Sequence, residues 1–286
     1  MANWKETKAW LTHLQDKRVM IACHRGKSSC SVIENTALAF QIAAGQGADM
    51  VEMDLDRTKD GVLVGHHDRY MHRLFKLPEK RICDFFYKEL MELPLYNYFS
   101  EIGPEKLNTF DEILTALKDK TILVIDRAWD YLDEVRERLI DHDMLDQAII
   151  KFNIGNEDAC QWAETHPDCV YIPMVREVSA FERVLEMKRH CPVVGIEILP
   201  QKESDEIFQP STVEWLHEQG LRVWCNSLSY ASRLVFGAGN DDLKSMYQGG
   251  DAGWGKLVKQ GVDIIQTDWP FEVRQYLIKM GKTTGL

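Results

Sequence analysis

VMIACHRGKSSCSVIENTALAFQIAAGQGADMVEMDLDRTKDGVLVGHHD, residues 19 to 68, is the stretch whose reading decides the fold. A short apolar run, Val19 to Cys23, delivers His24, Arg25 and Gly26. Glu34-Asn35-Thr36 then opens a run of small and apolar residues that reads as a helix and closes at Gly45 and Gly47. Met50 to Leu55 resumes a strand-like run in which Glu52 and Asp54, two apart, point to the same side. A further short run, Val62 to Val64, delivers His67 and Asp68. Polar residues stand where successive strands end, and the strands themselves are apolar enough to be buried on both faces. Strand, helix, strand with chemistry at one rim is the layout of a βα-barrel site.

Working outward, Trp4, Ala9, Trp10, Leu11 and Leu14 give residues 1–18 a helical pattern suited to capping the bottom of the fold. From Arg69 to Asn108 periodicity fades, Pro78, Pro94, Gly103 and Pro104 punctuate the text, and aromatics crowd in. This reads as an excursion over the rim within one domain spanning 1–286. Thr109 with Glu112 three residues on predicts a capped helix through Leu117. Strands are then predicted at 121–126, 147–152, 170–175, 193–198, 221–226 and 263–267, with helices between them. With the first two strands these make eight, the (β/α)₈ number. A doubly wound open sheet usually carries a glycine-rich turn after its first strand; His24-Arg25-Gly26 stands there instead. Gly47 to Asp54 is also echoed by Gly261 to Asp268, as two units of one barrel would be.

Composition narrows the function. With 45 acidic against 34 basic residues the formal charge is −11, which argues against a nucleic-acid footprint. A small anionic substrate remains compatible, because a local Arg or metal ion reverses the sign inside one cleft. The opening MANWKETKAWLTHLQDKRVM holds no unbroken apolar run, and no stretch approaches 18 consecutive apolar residues. A soluble, cytoplasmic protein without membrane contact is therefore expected. The seven cysteines are scattered without CxxC spacing, which favours reduced thiols over disulfides or zinc. Cys23 neighbours His24 on one strand, so the two side chains face opposite ways and the thiol belongs to the core.

Glu52 and Asp54 share a strand face and Asp126 ends a neighbouring strand. Three carboxylates in one mouth repel one another unless their pKa values rise or a hard divalent cation compensates them. All-oxygen ligation suits Mg²⁺ or Ca²⁺; ion pairs with Arg or Lys at the rim are the plainer alternative. His24 and His67 each follow a strand on that rim and can act as general base and general acid. His66 and His67 should point apart, and Asp68 beside His67 favours His67 as the inward one. Arg25 offers a planar fork for two phosphate oxygens, or a salt bridge to a nearby acid. Lys151 ends a strand where an ammonium faces an anion or balances the carboxylates. Trp224 is read as a wall of the cleft, with buried packing as its alternative. Such parts suit phosphodiester cleavage, in which charge is neutralised and two imidazoles move protons.

These residues resemble the glycerophosphodiester phosphodiesterase family. His24-Arg25-Gly26, Glu34-Asn35-Thr36, Gly47-Ala48-Asp49 with Glu52-Met53-Asp54, Thr58-Lys59-Asp60-Gly61 and His67-Asp68 follow its pattern in order. Gln266-Thr267-Asp268-Trp269-Pro270 is similar to its closing Thr-Asp-x-Pro. The resemblance implies a TIM barrel with a small insertion after the second strand, about 69–108. It also implies a divalent metal on Glu52, Asp54 and a third carboxylate, an acid–base pair in His24 and His67, and Arg25 on the phosphate. The substrate would be a small phosphodiester such as glycerophosphocholine, giving glycerol 3-phosphate and an alcohol. Asp126-Arg127 stands where the family usually has Glu and then Lys, and Ile33 where it has Pro. A lysophospholipase D or sphingomyelinase D-like enzyme, with Phe75, Phe85, Phe86, Tyr87, Tyr96, Tyr98 and Phe99 as its lipid-facing rim, is the neighbouring alternative. A non-catalytic barrel binding a phosphorylated metabolite is the third.

Overall fold

The computed structural model describes residues 3–29, 31–230 and 234–283. Its strands are β1 (Met20–His24), β2 (Met50–Arg57), β3 (Leu63–Gly65), β4 (Ile122–Asp126) and β5 (Ala148–Ile150). They continue with β6 (Met174–Val175), β7 (Gly195–Ile198), β8 (Arg222–Asn226) and β9 (Ile264–Thr267). Among the described residues eight of these run parallel, in the order β5-β4-β2-β1-β9-β8-β7-β6. Parallel bridges Ile150↔Tyr171 and Asn153↔Met174 join the two ends of that order and close the (β/α)₈ barrel. The remaining strand, β3, lies antiparallel on the far end of β2, with Leu55 opposite Gly65. It serves as a bracket for the residues that follow it.

Period-two alternation explains how each strand is used. Ile21, Cys23, Val51, Met53, Leu123 and Ile125 point outward into the layer between barrel and helices, so Cys23 packs in the core. Met20, Ala22, Met50, Val124, Ile149 and Trp224 point inward and fill the lower barrel, with Trp10 and Leu11 of the first helix (Trp4–Thr12) beneath them. The next inward positions toward the strand ends are polar, so one alternation yields both a dry plug and a polar mouth. Every described cysteine (Cys23, Cys83, Cys160, Cys169, Cys191 and Cys225) is a free thiol; Cys30 lies outside the described residues.

Between β3 and the capped helix Phe110–Leu117, the excursion builds a small core of its own around Met71, Leu74, Phe75, Ile82, Leu90 and Leu95. Phe75 is therefore buried, and Phe85 and Tyr87 pack against the same cluster, while Phe86, Tyr98 and Phe99 remain exposed. The helix Asp242–Gln248 escapes the sequence pattern because its apolar residues Leu243, Met246 and Tyr247 face solvent. Among the described residues no helix is long and apolar enough to cross a membrane. Gly65 is required where it stands: a Cβ there would lie 2.2 Å from the Asn35 carbonyl oxygen.

Candidate active site

The polar inward positions converge at the C-terminal end of the barrel. His24 stands level with Glu52 across β1 and β2, and Asp54 level with Asp126 across β2 and β4. With Lys151, Glu197, Asn226 and Gln266 they line a cavity of about 210 Å³. One carboxylate oxygen from each of Glu52, Asp54 and Asp126 lies within 4.8 Å of the others. Burial, with Asp54 alongside, pushes Glu52 well above the usual carboxylate range despite Lys151 nearby. Asp126 is raised as well, by burial and by Asp54 and Glu197, against the pull of Lys151. Asp54 is buried too, yet Arg25, the two imidazoles and an Asn35 hydrogen bond hold it below its ordinary value. Three converging carboxylates, two of them held above the ordinary range by burial and by one another, offer all-oxygen donors that fit Mg²⁺ or Ca²⁺.

Both histidines are braced from behind. His24 Nδ1 lies 3.0 Å from Asp268 Oδ1, and the Tyr230 hydroxyl is 3.3 Å from its Nε2. His67 Nδ1 lies 2.8 Å from Asp68 Oδ1. A carboxylate only accepts, so each Nδ1 carries the hydrogen and each Nε2 is the nitrogen left to exchange protons. Burial raises Asp68, but hydrogen bonds from His67 and Arg73 outweigh it and hold the carboxyl far below its usual range. Asp268 is lowered in the same way, with His24 overcoming burial. His66 turns away from this mouth and packs against Phe75, 6.3 Å between ring centroids.

Arg25 sits behind the carboxylates. Its Nε is 3.2 Å from Asp54 Oδ2 and its Nη1 3.1 Å from Glu34 Oε1. Arg73 continues the chain, pairing with Glu34 and, through Nε at 3.0 Å, with Asp68 Oδ2. One ionic network thus runs from His67 to the carboxylate cluster. Arg25, Asn35 and Arg127 hold left-handed backbone at φ +54°, +56° and +56°, a conformation that costs such residues about 1 kcal/mol each and that clusters at functional sites.

Lys151 is fully buried, its Nζ 2.6 Å from Glu197 Oε2, 3.8 Å from Asp126 and 4.0 Å from Glu52. Those carboxylates outweigh burial and hold the ammonium above its ordinary value, so balancing charge is the role its position gives it. Trp224 requires a correction. It points inward, but one layer below the mouth: it is fully buried, Nε1 donates to Asn226 Oδ1 at 2.9 Å, and Lys151 Nζ lies 4.7 Å above its ring. It supports the floor and cannot wall the cleft.

Asp268, Glu197, Tyr230 and Arg73 join the site without having been expected there from sequence, while Asn35, readable beside Glu34 as a helix cap or as a group orienting Arg25 or His24, hydrogen-bonds Asp54. Asp268 had a signal, since it occupies in the 261–268 echo the place Asp54 holds in 47–54. Beneath Asp268, Asp242 accepts from Ser227 Oγ, Trp254 Nε1, Thr267 Oγ1 and the Asp268 amide at 2.6–3.1 Å. Burial pushes its carboxyl up to about 7 against the hydrogen bonds from Ser227, Trp254 and Thr267. Asp242→Ala leaves those buried donors unsatisfied and should destabilise the fold by about 2–4 kcal/mol in urea unfolding. An unchanged midpoint would show that water replaces the carboxylate.

A family model described as "Glycerophosphoryl diester phosphodiesterase family" matches residues 24–270. Over 108 residues the chain is 36% identical to a glycerophosphodiester phosphodiesterase of Caldanaerobacter subterraneus subsp. tengcongensis, covering 37% of this chain and 44% of that protein. Against the corresponding protein of Bacillus altitudinis it is 30% identical over 106 residues, covering 37% and 42%. The matches thus span less than half the length of these curated relatives. Among solved structures, a glycerophosphoryl diester phosphodiesterase from Parabacteroides distasonis superposes with a TM-score of 0.76 at 20% identity, covering 98% of this chain and 93% of that one. An Oleispira antarctica phosphodiesterase in complex with the product sn-glycerol-3-phosphate gives 0.67 at 21% identity, covering 93% and 99%. At these identities the structural likeness is one of fold.

Proposed function

The chain belongs to the glycerophosphoryl diester phosphodiesterase family, and from that premise we propose that it hydrolyses glycerophosphodiesters to glycerol 3-phosphate and an alcohol. The observation that carries the reading is the pair of imidazoles, each braced on Nδ1 by a carboxylate, lining one cavity floored by three acids. Glu52, Asp54 and Asp126 would hold a divalent cation, Mg²⁺ or Ca²⁺, which when bound offsets phosphate charge and polarises the phosphoryl group. Arg25, fixed by Asp54 and Glu34, adds a second positive group to the anion's side of the mouth. One imidazole Nε2 takes a proton from the attacking water as its oxygen bonds to phosphorus. The other returns a proton to the oxygen that departs as the P–O bond breaks. Asp268 and Asp68 fix the tautomer of each ring and stabilise its charged form, while Tyr230 orients His24. The free thiols of the described cysteines favour a reducing, cytoplasmic setting.

The deciding experiment is a panel of glycerophosphodiesters and lysophospholipids assayed for product with Mg²⁺, Ca²⁺ and EDTA. Release of glycerol 3-phosphate with either ion, abolished by EDTA and restored by the ion, is expected. Turnover confined to lysophospholipids would select the lipid-directed reading, which the exposed Tyr98 and Phe99 favour. Binding without turnover under every condition would leave a non-catalytic barrel. The raised carboxyls of Glu52 and Asp126 add a pH prediction. Protonation of either group competes with a cation, and both carboxyls are held above their ordinary values, so apparent metal affinity should weaken as pH falls, with proton release on binding. Calorimetric Mg²⁺ and Ca²⁺ titrations in buffers of different ionisation heat measure both; pH-independent binding without proton release would place the ion elsewhere.

A further inference from the structure

A second cavity, of about 200 Å³, opens beside the first and shares His67, Arg127 and Trp129 with it. Its buried wall is His66, only 1% exposed, and neither ring nitrogen finds a hydrogen-bond partner in the protein. The Asp56 carboxylate comes to 3.6 Å of Nδ1, outside hydrogen-bond reach. Polar groups buried this deeply are normally satisfied, and an unpartnered imidazole in the wall of a cavity marks a place where a polar ligand atom can be received. Arg69, Arg81 and Arg127 line the same space. Other arginines around the mouth, Arg25 and Arg73, are tied to carboxylates. No carboxylate among the described residues reaches ion-pair distance of the guanidinium groups of Arg69, Arg81 or Arg127.

Carboxylates border the cavity as well, and their state decides its sign. Asp68 is engaged by His67 and by Arg73. Asp56 accepts the Arg57 amide through Oδ1 at 2.8 Å, and Asp130 is exposed to water. Among the described residues these three do not converge into a cation-binding group. The three guanidinium groups are left without a carboxylate partner among those residues, Arg69 lying over the Tyr70 ring and Arg127 over Trp129. Their N–H groups, with one ring N–H of His66, can be presented to an anion.

Resting on the phosphodiesterase reading above, we propose that this cavity receives an anionic group, a carboxylate or a second phosphate, carried on the alcohol part of the diester. A diester lying over the carboxylate cluster passes His67 on one side, and the shared wall of His67, Arg127 and Trp129 is where a substituent crosses from one cavity to the other. Planar guanidinium groups match the oxygens of either anion, whereas a cationic alcohol would face three guanidinium groups and gain only the rim carboxylates of Asp56 and Asp130. The chain therefore discriminates among diesters by the charge of the group that leaves.

The test uses four substrates, with a glycerophosphoinositol phosphate, glycerophosphoserine, glycerophosphoglycerol and glycerophosphocholine compared in the metal-loaded wild type and in the Arg69→Ala/Arg81→Ala double variant. Both arginines are exposed and lie outside the catalytic set. Expected is a kcat/KM at least about tenfold higher for an anionic alcohol than for glycerophosphoglycerol, expressed mainly in KM and lost in the variant. Glycerophosphoglycerol turnover should stay within about twofold. Preference for the inositol phosphate alone assigns the site to phosphate; preference for serine as well extends it to carboxylates. Equal rates on all four, or a preference that survives the double substitution, overturns the proposal. If no diester is turned over with any ion, the phosphodiesterase reading fails by itself, and the cavity is then read by calorimetry of the metal-free protein with inorganic phosphate. Binding weakened about tenfold by the double variant supports the anion site, and unchanged or absent binding refutes it.

Discussion

Alanine at His24 or at His67 should lower kcat on glycerophosphodiesters by about 10²- to 10⁴-fold, roughly 3–5 kcal/mol of barrier, with the fold intact. Both side chains sit at the mouth, so truncation removes proton transfer without opening the core. Their side chains are 12% and 29% exposed, and Asp68 keeps Arg73 as a partner when His67 is lost. Circular dichroism and the thermal midpoint should therefore barely change. Asp268→Asn sharpens the test, because an amide can donate to Nδ1 and drive the hydrogen onto Nε2, the wrong tautomer for a base. That variant should lose rate with little change in KM and should alter the pH profile, which a purely structural role would not do. Near-native rates in either alanine variant would falsify the acid–base assignment for that residue.

Lys151→Met should destabilise the metal-free protein by about 3–5 kcal/mol. The substitution keeps length and apolar packing on Trp224 but removes the ammonium that stands among Glu52, Asp126 and Glu197. Glu197 is 2% exposed, and its remaining partner is Asn226, whose Nδ2 donates to Oε1 at 2.8 Å. A buried carboxylate without its counter-charge must desolvate unpaired or take up a proton. Glu197→Gln added to Lys151→Met should recover part of the loss. The same substitution makes the carboxylate cluster more negative, so cation affinity should rise while stability falls. Opposite signs from one change separate an electrostatic role from packing. Equal denaturation midpoints for variant and wild type would mean that water already screens the cluster.

The residues of the site differ in how far along the chain the information that places them reaches. Parity along a strand is local, and it suffices to put His24, Glu52, Asp54, Asp126 and Lys151 on one side of the wall. Depth along the barrel axis is not local. Trp224 has the right parity, but β8 is offset against its neighbours so that Glu197 stands level with Trp224 and Asn226 level with Gln266. Only that register shows the indole to lie below the mouth. His67 and Arg73 belong to no barrel strand and reach the site because β3 folds back on β2, with Gly65 admitting the Asn35 carbonyl. Asp268 meets His24 because the last strand closes beside the first, a contact between residues 244 apart in sequence.

By itself the chain's order of residues determined the eightfold strand–helix alternation, the rim that carries the chemistry and the kinds of groups found there. These follow from side-chain periodicity and chemical type, which act over a few residues. Barrel closure decided the rest: which carboxylate backs which imidazole, that Lys151 neutralises acids on both flanks, and that His66 faces a cavity of its own. Such pairings depend on the stagger between distant strands, and that stagger is fixed by packing the whole ring at once.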